Sequence, residues 1–150
     1  MSTSIIVKLL WSDAESDAWF ASLETRRTPR NTAQDIYEIR HAGEYNYRIE
    51  GGGEKFWADG IEEHTVVLEA KKIVLPERSP FIPTSKIDAR VREIIRAKVG
   101  DEFRRLEVIM TDEGNPLTSV RVIISDVRAK PFFESLLRDH RLPGEVVVKE

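Results

Sequence analysis

Residues 56–71 read Phe-Trp-Ala-Asp-Gly-Ile-Glu-Glu-His-Thr-Val-Val-Leu-Glu-Ala-Lys. The β-branched run that begins at Thr65 predicts a strand over 65–75, central in its sheet. Because side chains alternate across a strand, Val67, Glu69 and Lys71 share one face and Val66, Leu68 and Ala70 the other. An acid and a base on an otherwise apolar strand are costly to desolvate unless they pair or bind an ion. Asp59 lies where the preceding strand turns over, and the hairpin fold-back brings its carboxylate towards Glu69. Two such carboxylates suit a hard divalent cation such as magnesium, which takes oxygen ligands and keeps waters for a substrate phosphate. Lys71 would then orient or help deprotonate an attacking water and balance charge at phosphorus. The bland alternative is a structural Glu69–Lys71 pair on a solvent-facing strand, since Glu-x-Lys arises about once by chance in such a composition.

Outward from this stretch the chain reads as alternating elements. Thr32 with Asp35 resembles a capping box, and Ala33, Ile36, Tyr37 and Ile39 form a helical stripe that Gly43 ends, which predicts a helix over 32–42. Residues 45–49 alternate large apolar with polar side chains, Gly51-Gly52-Gly53 turns the chain, and 55–58 return as a hairpin. A second turn is expected over Gly60 to His64. Pro76, Pro80 and Pro83 mark a loop, and Ile87, Val91, Ile94, Ile95, Val99, Phe103, Leu106 and Met110 have helical spacing from Ser85 onward, with Gly100 as a possible break. A strand at 120–124, a short helix carrying Phe132 to Leu137 and a last strand at 146–148 complete an α-β-β-β-α-β-α-β order. Strands alternating with helices imply parallel pairing there, hence a mixed central sheet flanked by helices.

The first 30 residues read as a segment that packs on the rest, leaving a domain over 31–150. Ile5 to Leu10 is a strand or a helix start, Ser12 caps a helix through Phe20 and Leu23, and Thr25 to Arg30 is a basic linker.

The whole chain has 150 residues, no cysteine and a net charge of −3. Disulfide and thiolate-metal readings are closed, no apolar run approaches a bilayer span, and a histone-like passive polyanion binder is disfavoured. The charge is partitioned: residues 1–75 carry a net −4 and residues 86–141 a net +2. A nucleic-acid role would therefore need an active site rather than bulk charge.

Tyr37-Glu38, Tyr47-Arg48-Ile49-Glu50-Gly51, Phe56-Trp57-Ala58-Asp59-Gly60 and Val66-Val67-Leu68-Glu69-Ala70-Lys71 together resemble the PD-(D/E)XK nuclease superfamily. More narrowly, they resemble the restriction-endonuclease-fold toxin domains of bacterial polymorphic toxins and secretion-system effectors. The likeness covers about residues 31–150 and implies an α/β fold with a restriction-endonuclease-like αβββαβ core. It implies Asp59, Glu69 and Ala70 as metal ligands for Mg2+, with Mn2+ as a substitute, Lys71 as the catalytic lysine and Glu38 as a further catalytic or supporting group. Ala58 stands where many members have proline. Glu102 falls near a position where the toxin domains often carry glutamine, and is carried over with Arg90 and Arg105 as a nucleic-acid contact. The expected activity is that of a metal-dependent endonuclease toxin acting on DNA. Such a toxin would be secreted or delivered by a bacterial secretion system, would act in the target-cell cytoplasm, and would have a cognate immunity protein and no membrane partner. An RNase of the same fold directed at tRNA, or an inactive binding or immunity module, are the alternatives.

Other features weigh less. Gly51-Gly52-Gly53-Glu54-Lys55 lacks phosphate-loop spacing. His41, His64 and His140 have no paired ligand spacing, although His64 lies midway between Asp59 and Glu69. Arg90, Arg92, Arg96, Arg104 and Arg105 form a helix face that is either solvated or a backbone-binding groove. Trp57 is expected in the core rather than as a platform for bases.

Overall fold

The computed structural model describes residue 6, residue 8 and residues 10–150; the strand-or-helix reading of Ile5 to Leu10 falls largely outside the described residues. Helix α1 (Asp13–Ser22) starts at a Ser12–Glu15 capping box, and strand β1 (Thr25–Arg27) follows it. The Thr32–Asp35 capping box opens helix α2 (Ala33–Ala42), as its sequence predicts. The hairpin β2 (Tyr45–Gly51) and β3 (Glu54–Ala58) comes next, then β4 (Gly60–Glu62) and β5 (Val66–Lys71). Helix α3 (Ala89–Thr111), strand β6 (Ser119–Ile124), helix α4 (Lys130–Asp139) and strand β7 (Gly144–Val148) complete the chain.

The strands form two sheets. One is antiparallel, in the order β1-β2-β3; the other is mixed, in the order β4-β5-β6-β7, with β5, β6 and β7 parallel and β4 antiparallel to β5. The parallel pairs are joined through α3 and α4, which is how a βαβ crossover covers a sheet. Val67, Val120, Val122 and Ile124 face one side, where Phe103, Leu106, Phe133 and Leu136 from α3 and α4 close the main core. Ala70 and Ile123 face the other side and pack on Tyr37 of α2. The result is a mixed α/β fold, with the sheet between helical layers.

Four details depart from the sequence reading. Thr25 to Arg27 is an edge strand paired with Tyr45 to Tyr47, not a linker. The segment expected as a turn at 60–64 contains β4, because the β3 ribbon breaks at Asp59 and resumes against β5. Strand β5 stops at Lys71, since its neighbour β6 ends opposite at Ile124 and leaves residues 72–75 without a parallel partner. Helix α3 starts at Ala89 rather than Ser85, because the Asp88 carboxylate accepts the Arg90 and Val91 amides, and it continues through Gly100.

The break at Asp59 depends on Gly60. A Cβ there would lie 2.2 Å from the Ala42 carbonyl oxygen at the end of α2. Gly60→Ala is expected to cost about 3 kcal/mol, because backbone blocks it rather than a flexible side chain. An unchanged urea midpoint would refute this close approach of α2 to the break.

Candidate active site

Asp59 and β5 meet at the gap between the two sheets. The β5 edge that β4 leaves uncovered presents Ala70 and Lys72, and side chains satisfy both. Asp59 Oδ2 accepts the Ala70 amide at 2.8 Å. Gln34, on the first turn of α2, donates Nε2 to the Ala70 carbonyl at 2.8 Å and accepts the Lys72 amide on Oε1 at 2.7 Å. Gln34 thus replaces a missing strand neighbour and fixes the backbone that carries Glu69 and Lys71. It also engages the Ala70 carbonyl, the only group through which Ala70 could ligate an ion.

Glu69 is 3% exposed, and its buried Oε1 has no hydrogen-bond partner among the described residues. An orphaned carboxylate oxygen in the interior is costly and marks a place where a ligand or cation is wanted. Burial drives the Glu69 carboxyl well above its usual range, and the Asp59 charge pushes it further; Lys71 only partly offsets this. Asp59 is raised to about 7, first by burial and then by the Glu38 charge, against the lowering effect of the Ala70 amide. For Lys71 burial acts downward, but Glu69, Glu102 and Asp59 together hold the ammonium above its usual value. Its Nζ lies 3.5 Å from Glu102 Oε2, and these two side chains, 23% and 22% exposed, form the more open edge of the cluster.

Glu38 faces the cluster from α2. It is 8% exposed, and its Oε1 accepts Asn46 Nδ2 at 2.6 Å and the Thr28 hydroxyl at 3.3 Å. Asp59, Glu69, Lys71, Glu38 and Glu102 are thereby brought into one electrostatic group from α2, the β3–β4 break, β5 and α3. The remaining candidates lie elsewhere. Arg90 is exposed on the first turn of α3, about 18 Å along the helix from Glu102 at 1.5 Å per residue. Arg105 donates to the Lys55 carbonyl at 3.0 Å and sits over the Phe56 ring, so it ties α3 to β3. Arg92 and Arg96 similarly bond loop carbonyls at Pro83, Ser85 and Pro80. His64 pairs with Asp17 at 2.7 Å and stacks on Phe20, so it docks α1 rather than serving the cluster.

Sequence reasoning passed over Gln34, Thr28 and Asn46. Gln34 precedes Glu38 by one helical turn and therefore shares its face, a signal that was present. Thr28 and Asn46 carry no such mark, because their relation to Glu38 is purely tertiary.

Among the described residues no group of three or more histidine, cysteine or acidic side chains is placed to hold a metal. Two carboxylates suffice for magnesium, however, which usually binds one or two and completes its shell with waters and phosphate oxygens. The orphaned Glu69 oxygen beside Asp59 fits that requirement. Among the described residues, no helix is long and apolar enough to cross a membrane.

No curated protein and no solved structure matches the chain. A family model, described as restriction endonuclease fold toxin 2, matches residues 33–143 and so contains Gln34, Glu38, Asp59, Glu69, Lys71 and Glu102. With about three quarters of its length inside that match, the chain belongs to the restriction endonuclease fold toxin 2 family.

Proposed function

We propose that the protein is a metal-dependent endonuclease toxin that hydrolyses phosphodiester bonds of DNA. The observation that carries this reading is the pairing of half-buried Asp59 with buried Glu69, one oxygen of which has no partner among the described residues, with Lys71 alongside. Asp59 and Glu69 would hold Mg2+ or Mn2+, which when bound supplies Lewis acidity and lowers the pKa of a water. Lys71, kept protonated by three carboxylates, donates to a phosphoryl oxygen as negative charge builds there. Glu102 orients the Lys71 ammonium, and Gln34 keeps β5 in register with Asp59. As a toxin-family member it is read as an effector delivered by a secretion system into the cytoplasm of a target cell, with an immunity protein protecting the producer.

Incubation with supercoiled plasmid in Mg2+ is the direct test. Nicking and linearisation are expected, together with their loss in chelator and recovery with excess Mg2+ or Mn2+. Cleavage that resists chelation would overturn the metal dependence, and cleavage of tRNA alone would overturn DNA as substrate.

A further inference from the structure

The face of the antiparallel sheet opposite its core enters the chemistry above only through Asn46, which holds Glu38. Ile49 and Phe56 point into the core, so the alternating positions Arg48 and Trp57 lie on the opposite face, together with Arg26 and its cross-strand partner Asn46, which is itself buried against Thr28 and Glu38. There the Arg26 guanidinium lies over the Trp57 ring, 4.4 Å from its centroid, and Nε donates to Asn46 Oδ1 at 3.2 Å. Arg27 and Arg30 engage Glu44, and Arg48 engages Glu24 and Glu50. Among the described residues Arg26 has no carboxylate partner, and it is exposed, with Trp57 partly exposed beneath it.

This pair adjoins the catalytic cluster along two routes. Trp57 precedes Asp59 by two residues on the same ribbon. Asn46, which receives Arg26, also donates to Glu38, whose charge acts on Asp59. A guanidinium over an indole, without a carboxylate partner among the described residues and one side chain from the proposed phosphodiesterase site, has the chemistry of a base-stacking surface. Arginine planes and aromatic rings stack on unpaired bases, whereas duplex bases are already stacked and offer only their edges.

We propose that Arg26 and Trp57 form a stacking platform for an unpaired nucleobase beside the scissile phosphate, so that the preferred substrate is a single-stranded or locally unwound nucleic acid. The proposal rests on the nuclease reading and adds the strand state that the site selects.

Binding is measured first, with the Glu69→Gln protein and short oligonucleotides of one sequence as single-stranded DNA, single-stranded RNA and duplex DNA. Both single strands are expected to bind more tightly than the duplex. Arg26→Ala and Trp57→Leu should each weaken single-strand binding roughly five- to fiftyfold, as loss of one stacked base does. Arg26→Lys, which keeps charge without the plane, should lose most of the same affinity, and Arg138→Ala on α4 should lose none. In the otherwise wild-type enzyme KM should rise by the same factor, with kcat changed less than about threefold and the melting temperature held. Equal binding of single strand and duplex, or undiminished binding by both Arg26→Ala and Trp57→Leu, overturns the platform. Strand-selective binding without cleavage by the wild-type chain leaves the platform standing and overturns the nuclease reading; cleavage without strand preference does the reverse.

Discussion

Glu69→Gln is expected to lower the cleavage rate by at least about 10³-fold while leaving the fold intact, because it removes the charge a cation needs without changing the side chain's shape. Stability should hold or rise. Among the described residues Glu69 Oε1 has no partner, and the carboxyl is already driven towards its neutral form by burial and by Asp59, so the amide removes an unfavourable charge and can still donate a hydrogen bond to Asp59. Lys71→Met should be comparably inactive for a different reason, and it should also melt earlier. It leaves Glu69, Glu102 and Asp59 facing one another without a cation, the situation in which loss of one partner costs about 3–5 kcal/mol. Glu102→Gln serves as the internal comparison. It keeps the Lys71 contact as a hydrogen bond from the ammonium to a neutral amide oxygen and should slow cleavage by less than about tenfold. The decisive readout is plasmid nicking at saturating Mg2+ alongside circular dichroism. A Glu69→Gln protein with more than a tenth of wild-type activity would remove Glu69 from the site.

The Glu69–Lys71 pattern was legible in the sequence because it obeys local periodicity. Alternation on β5 separates Glu69 and Lys71 from Ala70, and the structure places those residues on opposite sides of the sheet. The capping boxes at Ser12 and Thr32 were legible for the same reason, since their partners are three residues away. What was hidden depends on partners far along the chain. Strand β1 is polar and exposed at all three positions, so no hydrophobic alternation announces it; only pairing with Tyr45 to Tyr47 makes it a strand. The role of Gln34 becomes visible only when β4 is seen to stop short and leave Ala70 and Lys72 uncovered. Trp57 looked like a core residue by type, yet strand parity puts it opposite Phe56, under a guanidinium from a segment that had looked like linker. Such residues concentrate around the site because it is built at a gap between two sheets, where regular pairing fails and side chains substitute for backbone.

That gap also makes stability depend on pH, and the sign is fixed by the direction of the Asp59 shift. Its folded pKa of about 7 lies above the unfolded value near 3.8, so its contribution to folding is fully present below about 3.8 and is lost as pH rises through 7. At pH 8 the loss is about 4 kcal/mol, and Glu69, displaced in the same direction, adds to it. Glu38 and Glu102 deepen the repulsion, and the Lys71 ammonium opposes it. Asp101, Asp112 and Asp126, held below the usual carboxylate range by Arg104, by the Gly114 and Gly52 amides and by Arg128, act with the opposite sign and at lower pH, so they do not mask the contribution of Asp59 and Glu69 above pH 5. In chelator the melting temperature should fall by roughly 10 °C between pH 5 and pH 8. Asp59→Asn should flatten the profile and melt higher than wild type at pH 8, since its side-chain oxygen can still accept the Ala70 amide. Mg2+ or Mn2+ should restore the wild-type melting temperature at pH 8 and do little at pH 5, where protons already occupy the pair. A flat wild-type profile, or a metal effect that is equal at both pH values, would show that Asp59 and Glu69 are not the groups that a cation relieves.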